Sequence, residues 1–170
     1  GFSFLDTNPD IIWTFSGHGI KCPEKTQRDW GLAMDEKLAK YLKAGEGISL
    51  EFKRCGGSQV ESDTFETMCS FANRQGGSIL LGVLDDGSVA GISTESAVSI
   101  ERNIVNVTNN PKLFNVPPAL EFEKLDAGNG KIVIRVWVPM GPSLYSFKGI
   151  VYDRAADVDV KVKADAQRAA

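Results

Sequence analysis

Residues 46–87 read EGISLEFKRCGGSQVESDTFETMCSFANRQGGSILLGVLDDG, and this stretch decides the fold. Apolar and polar residues alternate in ISLEFK at 48–53, which is the period of a β-strand with one buried face. The alternation places Glu51 and Lys53 together on the outer face of that strand. Polar residues also stand where the predicted elements begin and end, and a functional site is expected at those positions.

A helix and a second strand follow in the same stretch. Asp63 and Glu66 have the spacing of a capping box, and apolar side chains repeat at helical spacing at Phe65, Met68, Cys69 and Ala72. Gly76-Gly77 is typical of a helix end. The next segment, SILLGV at 78–83, is apolar on both faces, as expected of a central strand that is covered on both sides. The sequence thus predicts a strand-helix-strand core.

The residues before this core predict a helix and an arm. Pro23 fits the first turn of a helix, and apolar residues continue at helical spacing to about Lys43, which predicts a helix over 23–43. Residues 1–22 mix aromatic residues with turn formers and are interpreted as an N-terminal arm that lies on the domain. We therefore expect the arm at 1–22 and a single domain at 23–170.

The residues after the core predict hairpins and one more helix. A tight turn at Asp85-Asp86-Gly87 leads into a short strand, SVAGI, to make a hairpin. A helix is expected from about Thr94 to Asn109, with an apolar side formed by Val98, Ile100, Ile104, Val105 and Val107. Asn129-Gly130 joins ALEFEKL to KIVIRVWV, and GIVYDRA is a further strand that pairs with DVKV. The expected fold class is α/β (α+β), a mixed sheet with a strand-helix-strand core, β-hairpins and packed helices.

Composition limits the function. A chain of 170 residues at 42% hydrophobic content can form one compact domain without disulfides or metals, and the three cysteines and one histidine lack zinc-ligand spacing. A reducing cytoplasm is the expected location, and the first residues have neither a signal peptide nor a membrane span. A net charge of −3 and a pI near 5.2 count against a general polyanion binder. Gly1 in place of a methionine suggests a cleaved tag, so we expect the chain to be a piece of a longer protein.

Motifs spread over residues 40–160 resemble the Schlafen/AlbA-type DNA-binding domain family, which occurs in bacterial transcriptional regulators. The resemblance runs through Glu46, LEFK at 50–53, FAN at 71–73, Gly76-Gly77, Ile79 to Val83, Gly91, Pro117-Pro118, Pro142, Tyr145, Lys148-Gly149, Tyr152 and Arg154. The pair formed by FAN…GG…GV and KGxxYxR is fairly specific, whereas either half alone is weak. The resemblance implies a nucleic-acid-binding or regulatory module that is joined to other domains.

Some Schlafen members are metal-dependent endoribonucleases that use two glutamates and an aspartate. The resemblance implies the same role here for Glu46, Glu51, Asp85 and Asp86, with Glu46, Glu51 and Asp85 as ligands of Mg²⁺ or Mn²⁺. The aspartates stand one residue late, because Leu84 takes the place directly after GV. In the alternative interpretation, which we favour, Glu51 lies on a solvated face and the aspartates form a turn, so that no cofactor is expected.

The basic and aromatic residues near loops and strand ends predict a patch that contacts phosphates. Its members are Lys53, Arg54, Arg74, Tyr145, Lys148, Tyr152 and Arg154, with Lys161 and Lys163 farther along the chain. The resulting hypothesis is a non-enzymatic module of a transcriptional regulator that binds nucleic acid, DNA more than RNA, and no membrane. The alternatives are the endoribonuclease and a protein-interaction module that forms homo-oligomers, for which the arm at 1–22 is the only local sign.

Overall fold

The structure, a computed structural model, describes residues 14–16, 19–21 and 33–162. The helices are α1 (Glu36–Ala44), α2 (Ser62–Asn73) and α3 (Thr94–Thr108). The strands are β1 (Thr14–Ser16), β2 (Gly19–Lys21), β3 (Leu50–Lys53), β4 (Gly77–Leu81), β5 (Glu121–Gly128), β6 (Lys131–Val138), β7 (Ser146–Phe147), β8 (Ile150–Ala155) and β9 (Val158–Lys161).

The strand-helix-strand core predicted from residues 46–87 is present and organises a mixed four-stranded sheet. β3 and β4 are parallel and are joined through α2, while β6 pairs antiparallel with both β4 and β5, so that the strand order is β3-β4-β6-β5. A second sheet has the order β7-β8-β9, and β1 pairs with β2 as a separate hairpin. The fold is therefore α/β, as the sequence predicts.

Both faces of the central sheet are covered. On one face Leu80 and Val83 pack with Leu38 of α1, and on the other Ile79 and Leu81 pack with residues of α2, α3 and the second sheet. All five residues of β4 are buried. This double coverage explains why the SILLGV segment is apolar on both parities.

Two tight turns connect hairpin strands with both central residues in the left-handed region. Asn129 and Gly130 have φ values of 54° and 74°, and Lys148 and Gly149 have 52° and 76°. Positive φ at both central residues is the requirement of a type I′ turn, which matches the twist of the flanking strands. The predicted Asn-Gly hairpin is confirmed, and the KG of the KGxxYxR motif is a second turn with the same signs of φ.

Two boundaries differ from the sequence prediction. The helix predicted over 23–43 begins only at Glu36, because Asp35 is its N-cap and Met34 forms a β-bridge to Ala127. Residues 22–32 lie outside the described residues, as does most of the predicted arm. The predicted strand SVAGI is reduced to isolated bridges, Val83 to Val89 and Ile92 to Ile132.

The buried side of α3 also differs from the prediction. Val98 and Val105 are 50% and 44% exposed, whereas Ala97, Ile100 and Ile104 are fully buried. The helix therefore packs along the side of Ala97, Ile100 and Ile104 with Val107 partly buried beside them, and Val98 and Val105 face outward. No helix in the described part of the chain is long and apolar enough to cross a membrane.

Candidate functional site

Arg154 is the centre of a buried polar cluster between β3 and the second sheet. Its side chain is 2% exposed, and one terminal nitrogen, Nη2, donates to Oε2 of Glu51 at 2.7 Å and to the carbonyl oxygen of Gly47 at 2.9 Å. The other terminal nitrogen, Nη1, donates to Oδ1 of Asp159 at 2.9 Å, and the guanidinium lies 4.9 Å from the ring centre of Phe71. We call Arg154, Glu51, Asp159 and Glu46 the Arg154 cluster.

The carboxyl groups of Glu46 and Glu51 come together in this cluster. Oε1 of Glu46 also accepts a hydrogen bond from the backbone nitrogen of Phe52 at 3.0 Å, which holds the loop before β3 against the strand. Burial and a hydrogen bond to the Glu46 carboxyl raise the pKa of Glu51 to about 7, although Arg154 acts in the opposite direction. The carboxyl group of Glu51 therefore keeps its proton to a higher pH than an ordinary glutamate, because its pKa is raised.

Asp85 and Asp86 lie in an exposed turn instead. Oδ1 of Asp86 accepts hydrogen bonds from the backbone nitrogen and the hydroxyl of Ser88, and these bonds lower the pKa of Asp86. Among residues 33–162, no three carboxylate, histidine or cysteine side chains come together as a group that could hold a metal ion. The structure thus brings Glu46 and Glu51 together and leaves the two aspartates in their turn.

The cluster does not match the two-glutamate, one-aspartate arrangement as it stands. Carboxylate oxygens are suitable ligands for Mg²⁺ or Mn²⁺, but Oε2 of Glu51 is bonded to the Arg154 guanidinium. The acid that joins Glu51 around this guanidinium is Asp159, which sequence reasoning missed. Its only signal was its place in DVKV, the strand predicted to pair with GIVYDRA.

Tyr145 and Tyr152, which the sequence assigned to a phosphate-contacting patch, are each 4% exposed. The Tyr152 hydroxyl donates to Oε1 of Glu66 at 2.9 Å, and burial together with this bond raises the pKa of Tyr152 to about 12. A Cβ added at Gly141 would overlap the Tyr145 hydroxyl, which shows how closely this ring packs on the backbone. These tyrosines and Arg154 are part of the packed interior, so the expected surface role does not fit their placement.

Asn73 has a structural role that was not predicted from the sequence. Its Nδ2 donates to the carbonyl oxygens of Tyr145 and Tyr152 at 2.9 and 2.8 Å, and its Oδ1 accepts from the nitrogen of Tyr145 at 2.7 Å. One side chain at the end of α2 therefore holds both the residue that leads into β7 and the strand β8. In the sequence, the sign of this role was the place of Asn73 in the FAN motif at 71–73.

The remaining predicted binding residues are cations at loops and element ends. Lys53 is paired with Asp63 at 2.9 Å, and Arg74 is paired with Asp153 at 3.3 Å. Arg54 is exposed and has no ion pair with any described residue. Lys161 is exposed in β9, and Lys163 lies outside the described residues.

Lys148 combines exposure with an unfavourable backbone conformation. Its φ of 52° lies in the left-handed region, which costs a side chain other than Gly, Asn or Asp about 1 kcal/mol. Its ammonium lies 5.3 Å from the ring centre of Phe147, and within the described residues it has no acidic partner. The backbone nitrogen of Lys148 donates to the carbonyl oxygen of Leu113 at 2.8 Å, so the turn is fixed while its charge faces solvent.

The fold and the Arg154 cluster define an α/β domain in which a small second sheet is fixed to a strand-helix-strand core through buried polar side chains. Comparison with protein-family models matches residues 46–163 to the family described as Schlafen, AlbA_2. Because the match covers well over half of the chain, the protein belongs to the Schlafen AlbA_2 family. The resemblance seen in the sequence is confirmed.

Two solved structures are similar to this chain, and the first of them shows the same fold. The N-terminal domain of a RecG-related protein from Nitrosomonas europaea is 24% identical, with a TM-score of 0.50 over 75% of this chain and 92% of that one. The DIP2311 protein from Corynebacterium diphtheriae is 18% identical, with a TM-score of 0.48 over 72% of this chain. The chain spans only 24% of the length of DIP2311. Comparison with the curated proteins gives no match.

Proposed function

We propose that this domain binds nucleic acid, DNA in preference to RNA, as a module of a transcriptional regulator. The observation that carries the proposal is Lys148, which keeps an exposed charge at a turn position that Asn or Gly would occupy at lower cost. The same chain uses Asn-Gly for its other turn of this kind, at Asn129-Gly130. Ala156 also has a positive φ, 54°, so what distinguishes Lys148 is the exposed charge that it carries in this conformation.

Three further observations support a binding module. Membership in the Schlafen AlbA_2 family and a fold shared with a domain of a RecG-related helicase protein agree with a nucleic-acid context. Arg54 and Arg74 add exposed cations that could contact phosphates. The proposal places the module in a reducing cytoplasm, where the free, buried thiols of Cys55 and Cys69 are ordinary. Because the net charge is −3, such binding is local and sensitive to salt.

The test is binding of labelled duplex DNA and structured RNA across a series of salt concentrations. Lys148→Asn removes one cation while placing Asn in the left-handed conformation that it tolerates. We expect weaker binding, a salt slope smaller by about 1, and a free energy of unfolding that is unchanged or higher by about 0.5 kcal/mol. Weaker binding without a lower free energy of unfolding excludes a folding defect as the cause of the weaker binding.

Lys124→Asn is the matched control, because it removes the same charge from an exposed position in β5. It should leave binding close to that of the unchanged chain. Absence of binding at low salt, or equal losses in the two variants, would overturn the proposal.

The endoribonuclease alternative is favoured by one observation, the position of Glu46, which folds back on β3 and helps to raise the pKa of Glu51. It predicts cleavage of structured RNA that is abolished by EDTA and by Glu51→Ala with the fold retained. Cleavage that survives Glu51→Ala would assign the activity to a contaminant.

A further inference from the structure

β9 is an edge strand with an exposed apolar side. Within the described residues it pairs only with β8, and Val158 and Val160 are 56% and 44% exposed. An open edge presents unpaired backbone groups that can bind another strand. We propose that β9 pairs antiparallel with β9 of a second copy of this chain, joining two three-stranded sheets across a two-fold axis.

The backbone pattern of β9 shows which groups are free. The nitrogen of Val162 donates to the carbonyl oxygen of Val151, beside β8. Because backbone direction alternates along a strand, the groups of Val160 and Val158 also face β8. The N–H and C=O groups of Asp159 and Lys161 therefore face the open edge.

The matching of apolar side chains selects one register among those that bring these groups together. A two-fold axis can place Asp159 opposite Asp159 of the second copy, Lys161 opposite its own counterpart, or Asp159 opposite Lys161. The third uses the outward groups of both residues, and of the three registers it alone sets Val158, Val160 and Val162 each opposite a valine of the second copy. In this register Val160 meets Val160 of the second copy, and Val158 lies opposite Val162.

The second copy also fits the packing of the side chains. Asp159 points inward, since its carboxylate accepts from Arg154 and from the hydroxyl of Thr67. The alternate residues Val158, Val160 and Val162 share the other side of the strand, so pairing brings the valines of the two copies into one apolar group. A two-fold contact of this kind is self-complementary, as homodimer interfaces are.

A disulfide cross-link tests the register. Residue 160 would sit at a non-hydrogen-bonded pair on the axis, with its two Cα atoms about 4.5 Å apart, within the reach of a disulfide. Val160→Cys in a Cys22→Ser background should form a covalent dimer on mild oxidation. Val158→Cys is the matched control, because its two copies would stand about 13 Å apart along the strands and should stay unlinked.

Amide exchange and light scattering test the pairing without new cysteines. The amides of Asp159 and Lys161 should become protected as protein concentration rises, while Val160 stays protected by β8 throughout. Val160→Lys should yield a monomer with unchanged circular dichroism, whereas Val98→Lys, an equally exposed valine on α3, should still dimerise.

Three results would overturn the proposal. The first is a monomer at every concentration, and the second is equal cross-linking of the two cysteine variants. The third is protection of the Asp159 and Lys161 amides that does not depend on concentration, which would mean that the chain's own residues cover the edge.

Discussion

The carboxyl group of Glu51 titrates near neutral pH because of where β3 places it. Burial and Glu46 raise its pKa from 4.5 to about 7, so the folded protein binds a proton there that the unfolded chain has lost. The bound proton stabilises the folded protein by about 3 kcal/mol below pH 4.5, and this stabilisation is lost as the pH rises through about 7. We expect urea unfolding to show a free energy of unfolding that falls between pH 5 and 8, and Glu51→Gln to remove most of that fall.

Glu123→Gln is the matched control for the Glu51→Gln variant. Lys37 and then Arg135 hold the pKa of Glu123 below its ordinary value, so its contribution is present above pH 4.5 and is lost only at lower pH. This variant should keep the slope of the unchanged chain between pH 5 and 8. An identical slope in Glu51→Gln would contradict the assignment to Glu51.

At the scale of an element, the end of α2 and the start of β4 are fitted to each other through Gly77. A Cβ added at Gly77 would meet the ring of Phe71 at 2.7 Å, and that ring is fully buried. We expect Gly77→Ala to lower the free energy of unfolding by about 1–3 kcal/mol, because either α2 or β4 must move to make room for the added methyl group. Denaturant unfolding measures this, with Gly56→Ala as control, since no atom lies within 4 Å of a Cβ there. Equal losses would contradict the packing argument.

At the scale of the whole molecule, the Arg154 cluster connects the two sheets. Removing its buried guanidinium leaves Glu51 and Asp159 without their shared cation, so Arg154→Met should cost about 3–5 kcal/mol in unfolding experiments. Adding Glu51→Gln and Asp159→Asn to that variant should recover most of the loss. Arg74→Met removes an arginine whose ion pair is exposed and should cost at most about 1 kcal/mol. A small loss in Arg154→Met would show that the sheets hold together without it.

The candidate site was only partly predictable from the sequence. Glu46 and Glu51 were singled out together and do converge, because the loop before β3 turns back on the strand. Arg154 and the two tyrosines were assigned to a surface because their motif says nothing about burial. The expected solvated face of β3 is covered, since β8 and β9 lie against it through Arg154.

The order of the elements, the Asn-Gly turn, the central position of β4 and the family all follow from the sequence alone. These depend on periodicity and on glycine or asparagine at a turn, which are properties of neighbouring residues. The contact of Glu51 with Arg154, a residue 103 positions away, depends on the tertiary structure, and so do the exposure of Lys148 and the burial of Tyr145 and Tyr152. The physical reason is that burial and charge pairing are set by how the two sheets pack, which no local period records.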